Sequence, residues 1–163
     1  MIEGLEDAIR AREQRQYDVA EQRFADLLAA YPDDALTNFH YAWLCDAQGH
    51  EQRAVGFYER AIDLGLPPED LRGALLGLGS TYRALGEYQK AAARLQRGLV
   101  QFPEALEFTV FYAMVLYNLG QHQEATSRLL RLIADQVPTE SIARYQRAIH
   151  FYAQDLDKTW KEE

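Results

Sequence analysis

An internal repeat constrains the fold of this chain more than any other feature of its sequence. Glycines at positions 49, 86 and 120, with Arg15 at the corresponding first position, are separated by 34, 37 and 34 residues. An alanine lies five residues after each of these positions, at Ala20, Ala54, Ala91 and Ala125. A period of roughly 20 to 50 residues indicates an array of similar supersecondary units that stack on one another.

Each repeat has the pattern of a helical pair. Gly49, Gly86 and Gly120 fall just past the first helix, where a positive φ ends a helix at little steric cost. Prolines end the second helix, because proline cannot continue a helical hydrogen-bond ladder; they are Pro32, Pro103 and Pro138. Small residues on the first helix face small residues on the second, which lets the two helices approach closely; the predicted pairs are Ala42 with Ala54, Gly79 with Ala91, and Ala113 with Ala125.

The repeats resemble the tetratricopeptide repeat, whose consensus of about 34 residues runs W-x2-L-G-x2-Y, then A-x3-F, then a closing proline. The third repeat is the most similar to it, through Leu78, Gly79, Tyr82, Ala91, Leu95 and Pro103. The resemblance covers about residues 1–139. It implies an all-α fold, a right-handed α-solenoid of about four helix pairs followed by a C-terminal capping helix.

The predicted segments follow from the repeat spacing and lie in one domain. They are 1–34 for a degenerate first repeat, 35–71, 72–105 and 106–139 for the second to fourth repeats, and 140–163 for the capping helix.

The stretch EFTVFYAMVLYNLG, residues 107–120, is uncharged from Val110 to Asn118. At about 100° per residue around a helix, one face packs within the repeat (Thr109, Tyr112, Ala113, Leu116) and a second packs against the preceding repeat (Phe108, Phe111, Val115). A third face carries Val110, Met114 and Tyr117. The resemblance implies that this third face lines a concave groove.

The same spacing applied to the other first helices predicts the rest of a peptide-binding groove. The full set is Phe39, Trp43, Asp46, Leu76, Ser80, Arg83, Val110, Met114 and Tyr117. This lining is mostly apolar, so it suits an amphipathic helix or an extended apolar peptide anchored on aromatic rings. It differs from the carboxylate-clamp repeats, which need Lys and Asn on the groove face. The alternative is that the chain itself, or a second copy of it, covers these residues.

After Pro138, apolar residues recur at spacings of 3, 4, 3, 4 and 4, at Ile142, Tyr145, Ile149, Tyr152, Leu156 and Trp160. This pattern predicts one long amphipathic helix that caps the last repeat, as repeat arrays require. A second interpretation is dimerisation, because the rings offer more surface than a cap needs. The predicted dimer surface is Tyr145, Phe151, Tyr152 and Trp160.

Composition argues against several classes of partner and location. The net charge is −8 and the sequence pI is near 5.0, so nucleic acid and anionic membranes would be repelled on average. The N-terminus lacks the pattern of an export signal, and no apolar run approaches the roughly 18 residues of a membrane span. A single cysteine, Cys45, fits a reducing compartment, so we predict a cytoplasmic protein.

No catalytic residue, metal site or cofactor is predicted. His40, His50, His122 and His150 lie in different segments without metal-ligand spacing, and Cys45 falls at a core position, which favours a packed thiol over a nucleophile. We therefore predict a non-catalytic protein–protein interaction scaffold that binds an apolar helix or peptide in the groove. The alternative is a structural homodimer formed by the groove and the C-terminal helix.

Overall fold

The computed structural model describes residues 2–159, and this part of the chain contains α-helices and no strands. The predicted all-α class is therefore confirmed. The helices are α1 (Leu5–Glu13), α2 (Tyr17–Ala30), α3 (Ala35–Ala47), α4 (Glu51–Leu64), α5 (Pro68–Ala84), α6 (Tyr88–Gln101), α7 (Leu106–Asn118), α8 (His122–Gln136) and α9 (Glu140–Tyr152).

The turns inside the repeats share one geometry. Gly49, Gly86 and Gly120 have φ values of 76°, 78° and 77°, and Arg15, at the corresponding first position, has a φ of 58°. In each turn the next residue donates its backbone N–H to a carbonyl five residues earlier, as from His50 to Cys45 at 2.9 Å. This bond satisfies a carbonyl that the end of the helix would otherwise leave unpaired. The first repeat therefore keeps the turn although it lacks the glycine.

The second and third repeats meet at a different place from the predicted limit between residues 71 and 72. α4 ends at Leu64, where Gly65 has a φ of 92°. α5 then begins at Pro68, because proline is well suited to the first position of a helix, where its missing N–H has no partner to lose. The helix α5 therefore starts four residues before residue 72. The other segment limits stay a prediction.

The chain divides into two compact units, Met1–Arg94 and Leu95–Glu163, called here the N-terminal unit and the C-terminal unit. In the N-terminal unit α3 contacts α1, α2, α4 and α5. The first helices of its repeats thus form one layer, α1–α3–α5. Small residues allow the close contact between α3 and α4, since Ala42 and Ala54 are both fully buried.

Tyrosine hydroxyls link successive repeats in the N-terminal unit. Tyr41 of α3 donates to Glu21 of α2 at 2.6 Å, and Arg53 of α4 lies 3.0 Å from the same carboxylate oxygen. Tyr82 of α5 donates to Glu59 of α4 at 2.5 Å. Hydrogen bonds to a charged acceptor contribute about 1.5 to 3 kcal/mol each, so these contacts add directional stability to largely apolar seams.

In the C-terminal unit, α7 buries most of its predicted packing faces, while Thr109 and Phe111 are half-buried. Tyr112, Ala113 and Leu116 are buried, and so are Phe108 and Val115. The seam between α6 and α7 again uses a tyrosine, since Gln96 Nε2 lies 2.6 Å from the Tyr112 hydroxyl.

Gly98 of α6 creates the space for the Phe108 ring. The ring is fully buried, and its Cε1 atom lies 2.0 Å from the point where a Cβ of residue 98 would stand. Only glycine fits here without displacing the ring, because real Cβ atoms do not approach other heavy atoms so closely.

The C-terminal helix is shorter than predicted. α9 ends at Tyr152, and Leu156 lies outside it, so the prediction of one helix continuing to Trp160 is wrong over residues 153–159. Ser127 of α8 donates its hydroxyl to the carbonyl of Ala153 at 2.5 Å, and Ala153 itself is buried. This side-chain hydrogen bond satisfies a backbone carbonyl at the end of the helix, which supports termination there. Trp160 lies outside the described residues.

Candidate functional site

The N-terminal unit exposes one side of its layer of first helices. This side of α3 and α5, called here the first-helix face, carries five of the predicted groove residues. Trp43 is the most exposed, at 49%, and the others are half-buried: Asp46, Leu76, Ser80 and Arg83. Since α3 and α5 are in direct contact, these side chains lie on adjoining helices.

Trp43 is held in place by two neighbouring side chains. The guanidinium carbon of Arg12, from α1, lies 4.1 Å from the centre of the indole ring, a distance at which a cation is attracted to an aromatic face. The His40 ring is nearly parallel to the indole, with an interplanar angle of 12° and 6.4 Å between the ring centroids. Arg12 and His40 also contact each other, with 3.2 Å between Nη1 and Nδ1. The exposed ring is therefore pre-positioned on a polar support, in which Arg12 is buried and His40 is half-buried.

Burial lowers the pKa values of both supporting residues, Arg12 and His40. Arg12 is only 7% exposed, and burial lowers its pKa. Burial, reinforced by the charge of Arg12, lowers the pKa of His40 to about 4. His40 is thus neutral at pH 7 and can accept a hydrogen bond from the guanidinium at Nδ1.

Phe39 departs from its predicted place in the groove. The ring is 3% exposed, and its Cζ atom lies 2.9 Å from the Cβ position of Gly73. It fills the contact between α3 and α5 and lies 5.9 Å from the Trp43 ring. The glycine on α5 admits the ring into the core, so Phe39 supports the face from beneath instead of lining it.

Asp46 lies three residues after Trp43 on α3, within a network of hydroxyl groups. Thr81 Oγ1 lies 2.9 and 2.8 Å from the two carboxylate oxygens and 2.8 Å from the Gly77 carbonyl oxygen, and these acceptors share its single hydrogen. Tyr58 is hydrogen-bonded to the same carboxylate. Burial raises the pKa of Asp46, and the hydrogen bonds from Thr81 and Tyr58 oppose that rise. The carboxylate is thus fixed in position yet poorly hydrated.

The remaining predicted groove residues lie on α7 in the C-terminal unit. Val110, Met114 and Tyr117 share one face of the helix. Met114 is 38% exposed, Tyr117 is 64% exposed, and Val110 is half-buried. The Tyr117 ring also contacts His122, with 4.7 Å between centroids.

The predicted dimer surface is exposed where the structure describes it. Tyr145, Phe151 and Tyr152 each expose more than half of their surface. Phe151 and Tyr152 pack edge-on, with ring centroids 5.4 Å apart. Trp160 lies beyond the described residues, so its part in this surface stays a prediction.

The described residues show no arrangement suited to metal chemistry or a thiol nucleophile. Across residues 2–159, His, Cys, Asp and Glu side chains form no group of three that could hold a metal ion. Cys45 is fully buried, and burial raises its pKa to about 12, so it carries a protonated thiol at pH 7. In the same part of the chain, every helix is too short or too polar to cross a membrane.

Sequence reasoning missed the two residues that support Trp43. Arg12 falls seven residues after Leu5 and four after Ala8, both of which are buried, so it occupies an inward position on α1. A charged residue at an inward position is a signal that could have been noticed. Nothing in the spacing of His40 indicates its contact with Arg12.

Comparisons with known proteins identify the fold. A family model described as Tetratrico peptide repeat matches residues 35–156. Among solved structures, the chain is similar to a chain in the crystal structure of the APC/C hetero-tetramer Cut9-Hcn1, with a TM-score of 0.72 and 16% sequence identity over 93% of this chain. The match covers 29% of that longer chain, so the likeness shows an all-α helical repeat fold and nothing more. No curated protein matches by sequence.

Proposed function

The chain belongs to the tetratricopeptide repeat family, whose members are generally non-catalytic scaffolds for protein–protein interaction, and from this premise we propose that it binds a peptide segment of another protein on the first-helix face. The bound segment is an amphipathic helix or an extended apolar peptide. The similar solved chain belongs to a hetero-tetramer, which supports a role in assembly.

The observation that carries this proposal is the state of Trp43. A tryptophan that is half exposed, yet fixed by contacts with Arg12 and His40, loses little conformational freedom when a partner covers it. Tryptophan and tyrosine dominate binding energy at protein interfaces because they bury a large area in few rotamers. Trp43 is therefore the proposed anchor for an apolar side chain of the partner.

Peptide selection tests this proposal directly. We expect a displayed random-peptide library, screened against the parent protein, to yield peptides that share an aromatic or aliphatic residue. Trp43→Ala should weaken binding of a selected peptide by at least about 30-fold, because removing an interface anchor costs about 2 kcal/mol or more. Fluorescence anisotropy of the labelled peptide measures the loss.

Tyr31→Ala is the matched control, since Tyr31 is 50% exposed and lies at the end of α2. This variant should bind like the parent. Failure to select any peptide, or equal binding by Trp43→Ala and Tyr31→Ala, would contradict the proposed function.

A second candidate function is structural, in which two copies associate through α7 and α9. It is favoured by the exposure of Met114 and Tyr117 on α7 and of Tyr145 on α9. Exposed apolar patches of this kind often mark interaction surfaces. In this case self-association would itself be the function.

Measuring the oligomeric state of the parent and of a substituted variant separates the two candidate functions. If two copies associate through α7, Met114→Glu should convert a parent dimer into monomers, because a charge at a buried interface is costly to desolvate. Light scattering on a sizing column, over a concentration series, measures the mass. Val100→Glu is the control, because Val100 is 81% exposed on α6. A monomeric parent, or a dimer unaffected by Met114→Glu, would argue against this candidate.

A further inference from the structure

We propose that the partner segment is cationic, and that one of its lysine or arginine side chains pairs with Asp46 while a neighbouring apolar side chain packs on Trp43. This inference rests on the proposed function and specifies the chemistry of the partner. It assigns the two side chains separate roles on the first-helix face, with Trp43 as the apolar anchor and Asp46 as the determinant of charge.

The first support is that Asp46 lacks a cationic partner within the protein. Its contacts in the described part of the chain are hydroxyl groups, from Thr81 and Tyr58. No lysine, arginine or histidine of residues 2–159 forms an ion pair with it. The charge of another acid, Glu51, raises the pKa of Asp46 further. A carboxylate in a poorly hydrated position is costly to leave without a cation, so the half-buried Asp46 is suited to receive one from outside.

The second support is the fixed position of the carboxylate. Because Thr81 Oγ1 and the Tyr58 hydroxyl both contact the carboxylate, Asp46 is held between two side chains before any partner arrives. It remains partly accessible, and its surroundings are already poorly hydrated. An ion pair formed there is weakened less by solvent than one on an open surface.

The third support is the spacing along α3. Residues three apart on a helix lie on the same face, with Cβ atoms about 5 to 6 Å apart. A partner that places an apolar residue and a lysine or arginine at a similar separation can therefore contact Trp43 and Asp46 together. An amphipathic helix provides that separation at neighbouring positions i and i+3 or i+4.

The charge of the N-terminal unit favours the same partner. Its sequence has ten Lys and Arg against sixteen Asp and Glu, a net charge of −6, out of −8 for the whole chain. An acidic field attracts a cationic segment before contact and raises its association rate at low salt. Net charge alone does not select a site, so Asp46 provides the local recognition.

Charge-matched substitutions test the inference with the same random-peptide library as the probe. We expect peptides selected on the parent to carry Lys or Arg three or four residues from the apolar anchor. Selection on Asp46→Asn should lose that preference. Asp26→Asn changes the net charge equally at an exposed position on α2, and should keep it.

A double-mutant cycle measures the pair itself. For a synthetic copy of one selected peptide, Asp46→Asn should lower the affinity by about tenfold or more, since close interfacial charge pairs are strongly coupled. For the same peptide with norleucine in place of lysine, Asp46→Asn should have little effect, because norleucine keeps the apolar stem and lacks the charge. Asp26→Asn should leave both affinities near those of the parent.

The outcomes separate this inference from the function on which it rests. Two outcomes would overturn the inference and leave the proposed function standing. One is the selection of Trp43-dependent peptides that lack basic residues. The other is equal affinity of the peptide for Asp46→Asn and Asp26→Asn. A library that yields no Trp43-dependent peptide would overturn both. Thermal melting of both variants checks that Asp46→Asn and Asp26→Asn stay folded.

Discussion

Replacing Gly98 by alanine is expected to lower the free energy of unfolding by about 1 to 3 kcal/mol, although alanine is the better helix former. The added Cβ would stand 2.0 to 2.5 Å from three atoms of the Phe108 ring. That ring is fully buried and stacks on the Phe102 ring, with 6.3 Å between the ring centroids, so it has little room to move aside. Urea denaturation followed by circular dichroism measures the change.

Gly56→Ala provides the matched control for this prediction. Gly56 also lies inside a helix, α4, but nothing stands within 4 Å of its Cβ position. There alanine should stabilise the protein by about 0.5 to 1 kcal/mol through helix propensity alone. Similar stability changes in the two variants would show that the Phe108 ring relaxes freely and would contradict the packing argument.

Acidification is expected to destabilise the protein through His40. Burial and the charge of Arg12 lower the pKa of His40 from 6.5 to about 4, although Asp34 acts in the opposite direction. Between these values the unfolded chain binds a proton that the folded protein excludes, so stability is full above pH 6.5 and falls as the pH drops toward 4. At about 1.4 kcal/mol per unit of pKa difference, the free energy of unfolding falls by roughly 3 kcal/mol over this range.

The test compares unfolding free energies at several pH values for the parent and His40→Gln. Glutamine can still accept a hydrogen bond from Arg12 but does not titrate, so this variant should lose much of the decline between pH 6.5 and 4. His50→Gln removes an exposed histidine and should keep the decline of the parent. A parallel decline in the parent and His40→Gln would assign the acid sensitivity to other groups. Asp46 is not one of them, because its raised pKa favours the folded state in acid.

The repeat pattern was sufficient to predict the helical pairs and their turns. It placed a turn at Arg15 without a glycine there, because spacing and the alanine that follows outweigh the identity of one residue. It also placed the buried faces of α7, since helical periodicity relates each position directly to a direction around the axis.

The candidate site was predicted less completely, because its details depend on contacts between helices. Periodicity placed Phe39 and Trp43 on one side of α3, yet Gly73 on α5 admits Phe39 into the core and leaves Trp43 exposed. The contact of Arg12 with Trp43 joins residues 31 positions apart, and no local pattern signals it. The end of α9 similarly depends on Ser127, a residue of the preceding helix.

The tyrosine contacts make each seam specific to the two repeats that it joins. Tyr41 lies eight residues before its turn glycine and Tyr82 lies four, and the two hydroxyl groups contact different turns of the preceding helix. Their acceptors, Glu21 and Glu59, are displaced to match, lying one and five residues after Ala20 and Ala54. A chain with the second and third repeats exchanged would place Tyr82 against α2, whose acceptor Glu21 stands one turn away from the position that Glu59 holds on α4. The repeats are alike in outline but are not interchangeable parts.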